Sequence, residues 1–233
     1  MATVEESIAP LVAGDVLTRD EFLRRWEAHP DIKLAELIGG IVYMPSPVTI
    51  EHGDTAGDVG TWLGVYKAAT QGCGSGHDTT SFLLDDCPQA DANLRILPEY
   101  GGASWVEKGY LHGAPELLAE ICRSSAAYDL HQKMDLYQAA GVPEYLAILL
   151  FEREIRWHML MNGVYQIMPA EPGGSWRSCV FPGLWLDGPA LLEGKMSLVL
   201  SKLQEGLASA EHQAFVERLA LKKNQSSGSG RAL

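Results

Sequence analysis

The sequence predicts an α/β domain: a central mixed sheet flanked by helices and extended by β-hairpins. Three observations carry this. LLAEIC (117–122), a helical pattern over 129–141 and EYLAILL (144–150) follow one another directly, the signature of a parallel strand-helix-strand unit. Gly39-Gly40 and Asn162-Gly163 each sit between short apolar runs, as in two-residue hairpins. Residues 50–69 place Val59, Trp62, Leu63 and Tyr66 at helical spacing.

In chain order, Thr18-Arg19-Asp20-Glu21 has the form of a capping box, followed by the stripe Phe22, Leu23, Trp26 and a stop at His29-Pro30. KLAELIGGIVYM (33–44) reads as two strands, with Glu36 on the face of Leu34 and Ile38. Pro45-Ser46-Pro47 is a loop before the helix at 50–69, and Gly72, Gly74 and Gly76 read as a flexible loop, since no Lys-Ser/Thr follows to make a phosphate cradle. Strands are expected at SFLL and ANLRIL around the turn 85–89, and 98–114 reads as a Gly-rich surface loop. In the helix after 117–122, Asp129 is a candidate N-cap, Gly141 a stop, and Leu130, Met134, Leu136 and Tyr137 form the apolar side. IRWHMLM and VYQIM make the second hairpin, WRSCVF another strand, and helical sequence runs from about Ser197 to Lys222. The expected organisation is a flexible start (1–14), one domain (15–222) and a disordered tail (223–233).

Composition restricts function. With 46% hydrophobic and 21% charged residues and no apolar run long enough for a bilayer, the chain reads as a soluble protein without membrane partners. The acidic N-terminus lacks the basic segment of a signal peptide, so the cytoplasm is expected. Cys73, Cys87, Cys122 and Cys179 form no C-x-x-C pair, which disfavours zinc and suggests reduced thiols. The net charge of −12 argues against a broad non-specific nucleic-acid surface.

Four charges interrupt this order. Glu120 stands alone in an apolar strand, where a carboxylate is costly to bury, and Lys133 falls within the apolar arc of the next helix. Asp91 stands at a strand entry and Glu36 in an apolar strand. Converging carboxylates suit a hard divalent cation such as Mg²⁺, which activates water and polarises a phosphoryl oxygen, while an ammonium steadies developing charge. Each residue also has a structural reading. Glu36 could pair with Lys33, Asp91 could serve a turn, Lys133 could snorkel, and Glu120 could sit in a buried ion pair. His52, beside Glu51, could touch the site or cap the helix.

The ordered segments LAELIGGIVYMPSP…EH (34–52), QADANLRI (89–96), LLAEICRSS (117–125) and DLHQKMDLYQAAGVPEYL (129–146) resemble the Uma-type putative restriction endonuclease family of the PD-(D/E)XK nuclease superfamily. The most specific run is Asp129, Lys133, Tyr137, Gly141 and Val142. The resemblance implies a restriction-endonuclease-like fold and a Mg²⁺- or Mn²⁺-dependent endonuclease acting on nucleic acid, expected to be DNA; the hairpin-rich C-terminal half and amphipathic final helix suit a homodimer. It assigns catalysis to Glu36, Asp91, Glu120 and Lys133, and the metal to Asp91, Glu120 and the Ile121 carbonyl. The sequence departs from the pattern in four places: Ala90 replaces the proline before Asp91, Cys122 occupies the usual lysine position so that Lys133 must act from the helix, ICRSS stands for the usual V-L-S-P-S, and EYLAILL lacks the aromatic-and-acid ending of its strand. Two rivals remain: an inactive nuclease fold that works by association, and a hydrolase of small phosphorylated substrates. Arg95, Arg123, Lys108 and Lys67 are the candidate lining of a basic groove.

Overall fold

The two apolar runs pair in parallel as β7 (Leu117–Cys122) and β8 (Glu144–Leu149) at the heart of an eight-stranded sheet. This arrangement comes from a computed structural model, which describes residues 8–44, 47–122 and 129–229. The other strands of the sheet are β3 (Cys73–Phe82), β4 (Gln89–Ile96), β5 (Trp105–Glu107), β6 (Tyr110–His112), β9 (Glu154–Met161) and β10 (Val164–Ile167). Their order is β10-β9-β8-β7-β4-β3-β6-β5. Parallel and antiparallel pairs are mixed: β7 with β8 and β3 with β6 run parallel, the others antiparallel.

One face of the sheet is covered by α2 (Ile50–Ala69), whose Val59, Trp62, Leu63 and Tyr66 are fully buried as the helical spacing predicts. The C-terminal helices α4 (Gly188–Leu192), α5 (Met196–Leu207) and α6 (Ala210–Ser229) extend that core. The other face packs Leu118, Cys122 and Ala147 against α3 (Met134–Ala139), which follows a π-helical turn at Asp129–Lys133. The hairpin of β1 (Glu36–Ile38) and β2 (Ile41–Tyr43) stands apart and encloses a small core with α1 (Arg19–Ala28). Both hairpin turns use positive φ as expected: Gly39 and Gly40, and Asn162 and Gly163.

Several segments differ from the sequence reading. Gly74 and Gly76 are not in a loop but in β3, because β4 presents large side chains there. A Cβ at Gly76 would lie 2.8 Å from Asn93 Nδ2, and one at Gly74 3.1 Å from Arg95 Cζ. Residues 98–114 hold a 3-10 turn (Pro98–Tyr100) and the β5–β6 hairpin, turned at Lys108-Gly109 with positive φ at both. WRSCVF is strand only at β11 (Ser175–Arg177), which pairs with β12 (Trp185–Asp187). The last helical stretch breaks at Ala208-Ser209 into α5 and α6, and α6 continues through Ser229. Near the N-terminus Leu11 is buried and Gly14 N–H donates to Val42 O at 2.8 Å, so residues 8–14 are built into the fold. Leu34, expected to share the buried face with Glu36, lies outside β1 and is exposed. All four cysteines are free, and Cys179 alone is exposed. Pro45, Ser46, Arg123, Ser124 and Ser125, and the side chains of Asp129 and Leu130, lie outside the described residues. No described helix is long and apolar enough to cross a membrane.

Candidate active site

Glu120 stands in the middle of β7, where six consecutive residues are buried. A lone carboxylate in such a strand must find donors, and α3 with its preceding π-turn supplies them. Lys133 Nζ lies 3.1 Å from each carboxylate oxygen of Glu120, and one turn later Tyr137 donates its hydroxyl to Oε1 at 2.6 Å. Positions four apart share a helix face, so two donor side chains reach one acceptor. The π-turn ends on Lys133 and so sets its approach.

Glu36 completes the cluster from the separate hairpin. Its Oε1 lies 3.0 Å from Lys133 Nζ and accepts the Gln89 N–H at 2.6 Å, while the Gln89 carbonyl accepts from Lys133 at 3.4 Å. The pairing with Lys33 allowed by the sequence does not form; Lys33 Nζ donates to Pro30 O instead. Lys133 is 6% exposed at its side chain, between Glu120 at 4% and Glu36 at 16%. Two carboxylates around one ammonium leave the cluster with a formal charge of −1.

Asp91 joins at the point where β4 and β7 separate. Their ladder pairs Ala92 with Ala119, so the next positions, Asp91 and Glu120, lie level across adjacent strands. There Asp91 Oδ2 accepts the Ile121 N–H at 2.6 Å, a side chain taking the place of a backbone acceptor. Its other oxygen, Oδ1, lies 3.4 Å from His52 Nε2 on α2. His52 therefore touches the site, one of the two possibilities its sequence position allowed. An open groove of about 410 Å³ leads away from Asp91, lined by Ala56, Gly57, Gly60, Thr61, His77 and Asp78. Burial, and secondarily the charge of Asp91, push the Asp78 carboxyl above its usual range. Among the described residues, no lysine or arginine lines this groove.

The four acid and lysine positions singled out in the sequence thus occupy one region. Of the basic residues, Lys67, Lys108 and Arg95 do not join it, and Arg123 lies outside the described residues. Lys67 is fifteen positions along α2 from His52, roughly 22 Å by helical rise. Lys108 caps the β5–β6 hairpin near the sheet edge, and Arg95 is engaged with Asn93 at 3.1 Å. Tyr137 and Gln89 were not singled out for the site. A tyrosine on an apolar helix face has the same pattern as core, and Gln89 contributes only its backbone.

The donor set can be tested against a divalent cation. Asp91 and Glu120 offer anionic oxygens from adjacent strands, with the Ile121 peptide beside them, and these are donors that hard cations prefer. Among the described residues no group of three or more His, Cys, Asp or Glu side chains stands ready as a metal cage. Mg²⁺ does not require one, since it binds through one or two carboxylates and keeps several waters. The residues therefore fit such an ion in kind.

A family model described as "Putative restriction endonuclease", Uma2, matches residues 19–188. The chain belongs to this family. The match spans both the N-terminal hairpin and the strand-helix-strand unit, the two parts of this Uma2 protein that supply Glu36, Glu120 and Lys133, and the strand β4 that supplies Asp91. Among solved structures it is similar to a putative nuclease belonging to DUF820 from Anabaena variabilis, with a TM-score of 0.57 and 16% identity over 76% of this chain and 99% of the other. At that identity the likeness concerns the fold. A search of curated proteins finds no match.

Proposed function

We propose that this Uma2 protein is an endonuclease that hydrolyses phosphodiester bonds of nucleic acid, with DNA as substrate and Mg²⁺ or Mn²⁺ as cofactor. The observation that carries the proposal is the Glu36–Lys133–Glu120 cluster, buried yet level with Asp91 at the mouth of a groove. Asp91 and Glu120 would hold the cation, with the Ile121 carbonyl as a third donor. When bound, it supplies Lewis-acid polarisation of a phosphoryl oxygen and a more acidic water.

The remaining steps belong to the chain. Lys133 Nζ, held between two carboxylates, places a fixed positive charge where negative charge grows on the phosphoryl oxygens, and can orient the attacking water. Glu36 holds Lys133 from the β1 hairpin and would orient that water through its carboxylate. His52 fixes the rotation of Asp91 from α2, while the Ile121 N–H holds the opposite oxygen.

Family membership and the DUF820 likeness support a nuclease reading. A second reading, a hydrolase of small phosphorylated substrates, is favoured by the charge of −12 and by a groove whose described lining residues include no lysine or arginine. Incubating the protein with supercoiled plasmid, and separately with bis-p-nitrophenyl phosphate, in Mg²⁺ or Mn²⁺ distinguishes the two. The proposal expects nicked and linear plasmid, lost with EDTA and with Asp91→Asn. Hydrolysis of the small diester with intact plasmid would support the second reading.

A further inference from the structure

We infer that Tyr137 is a positioning residue, whose hydroxyl fixes the orientation of the Glu120 carboxylate for cation binding. This rests on the reading of Glu120 as a cation ligand. Lys133 Nζ is equidistant from the two oxygens of Glu120, 3.1 Å from each, so the ammonium neutralises the carboxylate without distinguishing one oxygen from the other. Tyr137 does distinguish them. Its hydroxyl lies 2.6 Å from Oε1, a short charge-assisted bond from a side chain with little freedom to move.

That rigidity is built into the core. The Tyr137 ring is fully buried, set edge-on to Tyr145 with centroids 5.4 Å apart, and packed with Val142, Leu136 and Leu118. A phenol keeps its proton at neutral pH, and its O–H is aimed at the Glu120 carboxylate, so it acts as the donor. A hydrogen bond from a residue behind the ligand is the usual means by which a protein sets the direction of a metal-binding carboxylate, and removing it costs affinity.

The test is Mn²⁺ binding to the full chain by titration calorimetry, comparing wild type, Tyr137→Phe, Tyr137→Met, Val142→Ala and Glu120→Gln. Phe keeps the ring, and Met fills the pocket without a hydroxyl if Phe fails to fold. Val142→Ala trims the same core and leaves the Tyr137 hydroxyl in place. The expected result is Mn²⁺ affinity about 10- to 100-fold weaker in the Tyr137 variants, unchanged in Val142→Ala and lost in Glu120→Gln. Equal weakening in Val142→Ala, or wild-type affinity in both Tyr137 variants, would overturn the inference while loss in Glu120→Gln upheld the site. Wild-type binding by Glu120→Gln, or none by the wild type, would overturn the reading of Glu120 and the inference with it.

Discussion

Glu36 of the N-terminal hairpin binds Lys133 of the π-turn at 3.0 Å, joining two parts of the chain that meet nowhere in sequence. The lysine also holds Glu120 on the sheet. A buried pair of this kind contributes little when intact, yet losing one partner strands the other.

The first prediction follows from that asymmetry. Lys133→Met should destabilise by about 3–5 kcal/mol, because Glu120 and Glu36 lose their shared cation. Glu36→Gln should cost about 1–3 kcal/mol. In the double variant the two costs should fall short of their sum by at least ~0.5 kcal/mol, as expected for residues in contact. Urea denaturation of all four proteins measures this. Strict additivity would mean that the pair does not act as one.

Two glycines of α2 provide a second prediction. A Cβ at Gly60 would lie 2.3 Å from His77 Cε1, whereas one at Gly57 would meet nothing within 4 Å. Gly57→Ala should therefore stabilise by about 0.5–1 kcal/mol through backbone entropy. Gly60→Ala gains the same entropy but must turn aside the tip of the exposed His77 side chain, so its net gain should be smaller than that of Gly57→Ala. A smaller rise in melting temperature for Gly60→Ala would bear this out, and equal shifts would contradict the contact with His77.

Glu144 predicts a pH dependence. It is fully buried at the start of β8, accepts from Ser178 Oγ and from the Cys179 and Val180 N–H groups, and clamps the turn after β11. Burial, the largest influence, nevertheless raises its pKa above the usual glutamate value despite those donors. The folded chain thus holds this proton more tightly than the unfolded one. The contribution favours folding below the ordinary value of about 4.3 and is lost as pH rises through the folded-state value. Glu144→Gln removes the dependence, so the stability of the variant relative to wild type should increase between about pH 4 and about pH 7. Denaturation curves at the two pH values decide it; a difference independent of pH would show that Glu144 titrates normally.

Much of this molecule is legible in its sequence where local chemistry and tertiary demand agree. The bounds of α2 follow from its apolar spacing, and the Asn162-Gly163 turn from its need for positive φ. Glu120 and Lys133 stand out because each breaks an apolar pattern. The strand at Gly74 and Gly76 is hidden because glycine has low strand propensity, and the need for it comes from Arg95 and Asn93 on the neighbouring strand. The β5–β6 hairpin has a readable signal, Lys108-Gly109, but no apolar alternation flanks it, and all three β5 residues are exposed. The His52–Asp91 contact joins elements distant in sequence, the Tyr137 hydrogen bond joins a strand to the helix after it, and neither His52 nor Tyr137 breaks its local pattern.

The most direct test of the central claim is plasmid cleavage by Glu120→Gln in Mg²⁺, on protein whose near-ultraviolet circular dichroism matches wild type. Removing one negative oxygen takes a ligand from the proposed cation and a partner from Lys133 and leaves the sheet in place. The account predicts a folded protein with no detectable nicking under conditions where wild type cleaves. Cleavage by Glu120→Gln at the wild-type rate would contradict it.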